Sequence, residues 1–354
     1  MKNRGIIKRL VFGKQRENDL TEADLPSTRP KLFAFVMRTR FGIMFRANLL
    51  AALFFLPFIA WDVYIGSAVA AFVQGMTAAE YFSNLINLTL LHYGVNIVFI
   101  MIGCVGLAGL LYVCRRIVWG QSVKILQDFG KGIKQSFKQF LGLGLLTGLV
   151  LLLVEYAVPA SLLVMTPENT FWPAFGMGLA IVFAVIWFVA MMFAFNMSSL
   201  YNIDFIRLII GSFKLTFKRL LRSLGIAILS LAPILVFMFM PWAFVQIIGY
   251  AVTIVFSLGF AGVLQTVYCH GVFDDFINKD SYPAYVRMGM RGEGGEEYGV
   301  SEDESDTDEN NSDRQAVQGE DNSADEQEPG EQTESARETV DNAQSSEENK
   351  GGEA

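Results

Sequence analysis

Long apolar runs alternate with short polar segments along the first 273 residues of the chain. Each run has about 20 residues, and a run of that length crosses a bilayer as one α-helix because all its backbone hydrogen bonds then close within the segment. The pattern predicts an all-α polytopic membrane protein with six transmembrane helices. Their predicted limits are Ala47–Ile65, Asn96–Cys114, Phe140–Val164, Phe171–Asn196, Leu224–Gln246 and Ile247–Phe273.

The composition supports this class, because 52% of the residues are hydrophobic and only 18% are charged. Eleven Lys and Arg residues precede the first apolar run, six lie in 115–138 and five in 207–222, whereas 47–114, 140–196 and 224–273 contain none. Short cytoplasmic loops collect Lys and Arg, so both termini are predicted to be cytoplasmic. We expect the membrane to be the plasma membrane of a bacterium.

The charges divide the chain into parts of opposite sign. Residues 1–291 carry 25 basic against 13 acidic side chains, whereas residues 292–354 carry 3 against 22 and have few residues that form a core. Such a composition predicts a disordered acidic C-terminal tail over 292–354. The remaining predicted parts are a cytoplasmic N-terminal segment over 1–30, a membrane domain over 31–279 and a cytoplasmic linker over 280–291.

Two basic segments resemble each other at an offset of 80 residues. The sequence IKQSFKQFL at 133–141 aligns with FKLTFKRLL at 213–221, which pairs Phe137 with Phe217. Phenylalanines of such segments can enter the acyl boundary while lysines meet anionic headgroups, which predicts basic amphipathic interfacial segments. The alternative is an ordinary pair of positively charged cytoplasmic loops. The candidate lipid- or partner-binding residues are Lys131, Lys134, Lys138, Lys214, Lys218 and Arg219.

Glu155 is the candidate for a function within the membrane. A carboxylate inside a bilayer costs about 2.5–3.5 kcal/mol on insertion scales, so it needs a partner, a proton or a wet cavity. Pro159 lacks the N–H that would bond the Glu155 carbonyl, and a carboxylate beside a freed carbonyl can receive a cation or a proton. The alternatives are an ordinary proline kink and a glutamate that reaches the outer interface beside Tyr156.

Other polar residues give weaker signals. Asp62 is expected to mark the membrane surface, Glu80 and His92 to lie in an external loop, and His270 to lie at the inner interface. Two histidines on opposite sides of the membrane cannot supply an ordinary zinc site, and no phosphate-binding loop, metalloprotease or nucleophile-elbow motif occurs in the sequence. The sequence therefore predicts no metal, no cofactor and no enzyme. Three cysteines are expected to serve as small apolar side chains, namely Cys104, Cys114 and Cys269.

Several stretches resemble the YesL-like family of bacterial membrane proteins. They are GCVGLAGLLYVCRR at 103–116, the segment DFGKGIKQSFK at 128–138, and the first apolar run from Asn48 to Pro57. The resemblance covers roughly residues 31–279. It implies a membrane domain of unknown function and an association with carbohydrate uptake, and it supplies no catalytic residue. The chain departs from the shorter members of that family in the long interval between Pro57 and Gly103 and in its acidic tail.

The functional hypothesis is a non-enzymatic accessory or regulatory component of a membrane assembly, with carbohydrate uptake as the context that the resemblance implies. Its expected partners are a bilayer with anionic headgroups and a membrane-transport protein, and no nucleic acid is expected. The alternative is a secondary carrier with an intramembrane carboxylate pathway at Glu155. The basic segments lack the EAA-and-glycine coupling pattern of an ABC permease.

Overall fold

Helices make up all the regular structure in the part of the chain that the computed structural model describes, residues 25–238 and 252–291. This part belongs to one compact unit, Met1–Tyr298. The all-α class is therefore confirmed. The helices are α1 (Arg29–Thr39), α2 (Phe41–Val73), α3 (Ala78–Val118), α4 (Ile125–Val164), α5 (Phe171–Leu200), α6 (Phe205–Lys218), α7 (Leu220–Met238) and α8 (Leu258–Phe273).

The last helical stretch contains two wider turns. π-helical turns at Thr253–Ser257 and Asp274–Asn278 flank α8, and a short helical turn, Lys279–Ser281, follows. We refer to residues 253–281 as the final helix.

Within residues 25–238 and 252–291, five helices are long and apolar enough to cross a membrane, which confirms a multi-pass membrane protein. The predicted boundary between the fifth and sixth spans lies outside the described residues, within 239–251. On the near side of that gap, α7 contains a shorter apolar helix, Leu220–Pro233. The five helices are Phe41–Val73, Asn87–Val118, Ile125–Val164, Phe171–Leu200 and Ile254–Ser281.

The connection between α2 and α3 is much shorter than the sequence predicted. α2 continues to Val73 and α3 begins at Ala78, so only four residues separate the two helices. The start of α3 is fixed by a capping box, in which Glu80 N–H donates to the Thr77 hydroxyl and Thr77 N–H donates to the Glu80 carboxylate. The predicted external loop around Glu80 and His92 was therefore wrong, because both residues lie in α3.

The prolines do not end the helices in which they lie. Pro57, Pro159 and Pro233 are interior to α2, α4 and α7, and each helix continues through its proline. The carbonyl of Glu155 thus belongs to an unbroken helix, and the discontinuous helix that the carrier hypothesis allowed is absent from α4.

Small residues permit close packing of α3 and α4. A Cβ atom added at Gly144 would lie 2.9 Å from Met101 Cα, and one added at Gly148 would lie 3.1 Å from Ile97 Cα.

The cysteines pack among apolar side chains, and all three are buried and free. The three cysteines therefore serve as packing side chains and present no reactive thiol to the surface.

The buried core is concentrated toward the ends of the helices that carry the basic segments. Phe140, Phe193 and Phe273 are the largest fully buried side chains, and they belong to α4, α5 and α8. Toward the other end of α5, Phe171, Trp172 and Phe175 are more than half exposed. Apolar side chains exposed on a transmembrane helix are expected where that helix faces lipid. The half of the bundle that carries the basic segments is therefore the tightly packed part of the fold.

Candidate functional sites

Glu155 has a hydrogen-bond partner on the neighbouring helix. The side chain of Glu155 is exposed on α4, and the Tyr93 hydroxyl of α3 donates a hydrogen bond to its Oε2 atom at 3.0 Å. A carboxylate that accepts from a phenol keeps its remaining lone pairs for another donor or for a cation. Pro159, one turn farther along α4, is partly buried.

A second polar pair lies directly beside this contact. His92 Nε2 is 3.0 Å from Asp62 Oδ1, and the imidazole of His92 stacks on the ring of Tyr93 with 4.4 Å between centroids. Trp61 Nε1–H donates to the His92 carbonyl at 3.1 Å. Asp62 belongs to α2, so three helices meet through polar contacts at this level. We call Asp62, His92, Tyr93 and Glu155 the outer polar cluster, after the side of the membrane that the sequence predicts for it.

The outer polar cluster brings together two carboxyl groups, an imidazole and a phenol. Its members form two hydrogen-bonded pairs and a stacked imidazole and phenol, all on transmembrane helices. Among residues 25–238 and 252–291, no three His, Cys, Asp or Glu side chains are grouped as a metal ion would require.

The lysines that the sequence selected lie mostly on the surface. Lys131, Lys134 and Lys138 of α4 are exposed, and so is Lys214 of α6. The aligned phenylalanines of the repeat are exposed as well, Phe137 by 43% and Phe217 by 62%. We call these four lysines and two phenylalanines the basic cytoplasmic surface, after the side of the membrane that the sequence predicts for it.

The opposite faces of the same helices are buried. On α4, Ser136 and Phe140 are buried next to the exposed lysines. On α6, Leu208 and Leu215 face the core, whereas Ile206 is 71% exposed. The bundle therefore holds these helices by one face and presents the other, which is the geometry of an interfacial amphipathic segment.

Two of the selected cations make contacts inside the protein. The Arg219 guanidinium donates to Asp275 at 2.8 Å, and Lys218 Nζ lies 4.3 Å from the centroid of the Phe276 ring. Both partners belong to the second π-helical turn of the final helix. Lys218 and Arg219 thus hold the end of α6 against the final helix.

Several arginines outside the apolar runs are bound within the protein. Arg40 donates to the carbonyls of Gln121 and Gly120, at 2.5 and 2.8 Å. Arg115 donates to the Ser199 carbonyl at 2.7 Å, and Arg116 donates to Asp128 at 3.0 Å. In the sequence, all of these arginines are positive charges outside the apolar runs. No pattern in a single sequence distinguishes them from the exposed lysines.

His270 is buried, so the prediction of an interfacial histidine was wrong. Only 4% of its surface is exposed, and Trp119 Nε1–H donates to its Nδ1 atom at 3.3 Å. This bond joins the end of α3 to α8. One turn farther along the final helix, Asp274 accepts from the guanidinium of Arg29.

Asp274 is the centre of a buried polar network at the end of the bundle that carries the basic segments. Asn278 Nδ2 donates to Asp274 at 2.7 Å and Tyr201 OH donates to Asn278 at 2.5 Å. Burial lowers the pKa of Arg29, and the negative charge of Asp274 acts in the opposite direction. Burial also raises the pKa of the Tyr201 phenol, which therefore stays neutral and remains a hydrogen-bond donor.

Comparisons with family models, curated proteins and solved structures return no match. The resemblance to the YesL-like family therefore stays a prediction from the sequence.

Proposed function

We propose that this protein is a non-enzymatic accessory or regulatory component of a membrane assembly, bound through its cytoplasmic face. The observation that carries the proposal is the basic cytoplasmic surface. Lys131, Lys134 and Lys138 follow one another along one face of α4, and the opposite face of that helix is buried in the bundle. A surface fixed in this way can bind a partner without first ordering a loop.

Anionic headgroups of the inner leaflet are the expected lipid ligand of this surface. Each basic side chain near such a leaflet contributes about 1 kcal/mol, and the exposed phenylalanines can enter the acyl boundary beside it. Because Phe137 and Phe217 occupy matching positions of the repeat, the two segments can contact the bilayer in the same manner.

The wider setting of the proposal comes from the sequence. Six transmembrane helices, a bacterial plasma membrane and cytoplasmic termini are its expected topology, and a carbohydrate-uptake protein is the expected partner. The proposed role is accessory because the basic segments lack a permease's coupling pattern.

Native mass spectrometry after gentle extraction from the source membrane tests the accessory role. We expect a stoichiometric protein partner, and the double variant Lys134→Glu with Lys138→Glu should reduce its occupancy several-fold. The control is Lys31→Glu with Lys279→Glu, which reverses two exposed charges outside the basic cytoplasmic surface. A chain that carries only lipid, or equal loss of partner in both double variants, would contradict the proposal.

The second candidate function is a secondary carrier, and the outer polar cluster favours it. Glu155 and Tyr93 are joined by a hydrogen bond beside the pair of His92 and Asp62, so a proton or a cationic substrate would meet several groups at once. Ionisable residues within transmembrane helices commonly mark ion or substrate pathways.

Flux measurements in proteoliposomes test the carrier hypothesis. The probes are a pH-sensitive dye in the lumen and a panel of labelled mono- and disaccharides. Glu155→Gln should abolish flux and Tyr93→Phe should reduce it, whereas Glu168→Gln, in the exposed connection between α4 and α5, should have no effect. Unchanged flux in folded Glu155→Gln protein would reject this candidate.

A further inference from the structure

The chain folds back over the cytoplasmic end of the bundle after the final helix. A 3₁₀ turn, Pro283–Tyr285, follows the last helical turn, and the backbone then adopts positive φ at Arg287 (58°) and Gly289 (81°). We call residues 283–291 the strap. It is the segment for which the sequence predicted only a linker.

Side chains of the strap pack on the core. The ring of Tyr285 lies 5.5 Å from that of Trp119, with an angle of 34° between the planes, and Met288 and Met290 pack against the buried cluster that contains Trp119. The tilted contact of two aromatic rings contributes about 0.5–1.5 kcal/mol beyond the burial of their area. Tyr285 thus covers the indole that donates to His270.

Backbone hydrogen bonds fix both halves of the strap. Arg287 N–H donates to Asp274 at 3.1 Å, and Arg291 N–H donates to the Pro26 carbonyl at 3.2 Å. Pro26 precedes α1, whose Arg29 also donates to Asp274. The strap and the segment before α1 therefore meet over the buried polar network.

Gly289 allows the strap to lie close to the end of α3. A Cβ atom at this position would lie 2.2 Å from the Val118 carbonyl oxygen and 2.9 Å from Trp119 Cα. Both neighbours are backbone atoms that cannot move aside, so a larger residue prevents this placement of the strap. Glycine is also the residue that best tolerates a φ of 81°.

We propose that the strap is a detachable cover, a conformational switch that closes the cytoplasmic end of the bundle over Trp119 and His270. Its attachments are few compared with those of a transmembrane helix, so it opens at a lower free energy than the bundle. Arg287 is a non-glycine residue with positive φ, and release of the strap relieves that strained backbone. The open form exposes the face of Trp119 that Tyr285 covers.

The proposal goes beyond the accessory role and holds for either candidate function. In both cases the strap covers three buried aromatic side chains at this end of the bundle, Trp119, His270 and Tyr201. The ring of Tyr201 lies 6.5 Å from that of Tyr285 in the strap and 5.0 Å from that of Tyr282 just before it, so both rings cover Tyr201 in the closed form.

Limited trypsin digestion of the full chain in nanodiscs tests the switch, with mass spectrometry of cleavage at the bond between Arg287 and Met288. Wild-type protein should be cleaved slowly there. Gly289→Ala should be cleaved about tenfold faster or more, because local opening sets the rate at a protected bond. The matched control is Gly120→Ala, since Gly120 has a φ of 78° but no atom within 4 Å of the added Cβ.

A second pair of variants separates loss of the ring contact from backbone strain. Tyr285→Ala should raise the cleavage rate, and Tyr285→Phe should keep the wild-type rate because it retains the ring on Trp119. Amide hydrogen exchange of wild-type protein should show the Arg287 and Arg291 amides opening well before those of α8. The proposal is overturned if Gly289→Ala is cleaved no faster than Gly120→Ala, or if these two amides open only together with α8.

Discussion

At the scale of single residues, the basic positions divide by chemistry. Arg40, Arg115 and Arg116 bind carbonyls or a carboxylate inside the protein, whereas Lys131 and Lys134 are exposed. The planar guanidinium presents several donors in fixed directions and gives up hydration more readily than an ammonium does. Arginine therefore suits contacts between buried helix ends, and lysine suits a surface that faces headgroups.

Asn48 is a buried polar residue that joins α2 to the final helix. Its Nδ2 donates to the Ile254 carbonyl at 2.9 Å, and its Oδ1 accepts from Gly259 N–H at 2.6 Å. These two backbone groups are five residues apart, next to the first π-helical turn. The side-chain amide of Asn48 thus supplies hydrogen-bond partners to both backbone groups where the final helix widens into its first π-helical turn.

Replacement of Asn48 by alanine should destabilise the protein by about 2 kcal/mol, because interhelical hydrogen bonds contribute about 1 kcal/mol each and two backbone groups lose a partner. Reversible unfolding in mixed micelles measures the change. Asn202→Ala is the control, since Asn202 is exposed between α5 and α6, and it should change stability little. Equal effects of the two substitutions would contradict the assigned role of Asn48.

The capping box at the start of α3 gives a local pH dependence. Hydrogen bonds from Thr77 lower the pKa of the Glu80 carboxyl below its ordinary value. The cap therefore contributes fully above the ordinary glutamate pKa, and its contribution is lost as the pH falls through the lower folded-state pKa. Amide hydrogen exchange at Glu80 and Tyr81 should show this loss as faster relative opening in acid.

Thr77→Ala is the comparison for the capping box. The variant loses the hydroxyl that accepts from Glu80 N–H, so the first turn of α3 should open more readily at neutral pH and respond less to acid. Wild-type and variant chains with the same exchange at every pH would show that the cap does not hold this end of the helix.

At the scale of elements, the packing of α3 against α4 depends on glycine. The added Cβ at Gly144 meets backbone at Met101 and the side chain of Cys104, within 2.9–3.3 Å. No lateral movement of one side chain relieves that contact, because the helix axes themselves must separate. The small residues along α4 therefore set the distance between the two helices.

Gly144→Ala should lower the free energy of unfolding by about 1–3 kcal/mol, the usual range for overpacking a tight interface. Gly178→Ala on α5 is the matched control, since nothing lies within 4 Å of its added Cβ, and it should leave stability unchanged or slightly raised. The same unfolding assay compares both variants. A neutral Gly144→Ala would mean that α3 and α4 are free to separate.

At the scale of the whole molecule, the two ends of the helices differ in charge. The connection between α4 and α5, residues 165–170, contains no Lys or Arg, and exposed Phe171 and Trp172 follow it. The connections at the other end carry the basic segments. A bilayer orients such a chain by its basic loops and holds it by its interfacial aromatic residues.

Cysteine labelling with a membrane-impermeant maleimide tests this orientation. Glu168→Cys should react in intact cells, whereas Asn202→Cys should react only in inside-out vesicles. Background labelling should be low because Cys104, Cys114 and Cys269 are buried. Reaction of both introduced thiols from the same side would contradict the predicted topology.

The sequence by itself determined the helical class and the multi-pass character. Each depends on local composition, because a long apolar run has one way to satisfy its backbone in lipid. The capping box Thr77-Ala-Ala-Glu80 was also readable and would have corrected the external loop that was predicted around His92. Hydropathy alone missed it, since the first turns of α3 are polar.

Only the tertiary structure decided which polar residues meet. Asp62, His92 and Glu155 are far apart in the chain and came from regions that were predicted to be surface, loop and membrane, yet α2, α3 and α4 bring them together. The burial of His270 under Trp119 was likewise decided by the packing of α3 against α8. Contacts between helices depend on how faces pack, and hydrophobic periodicity in one sequence does not specify which side chains face each other.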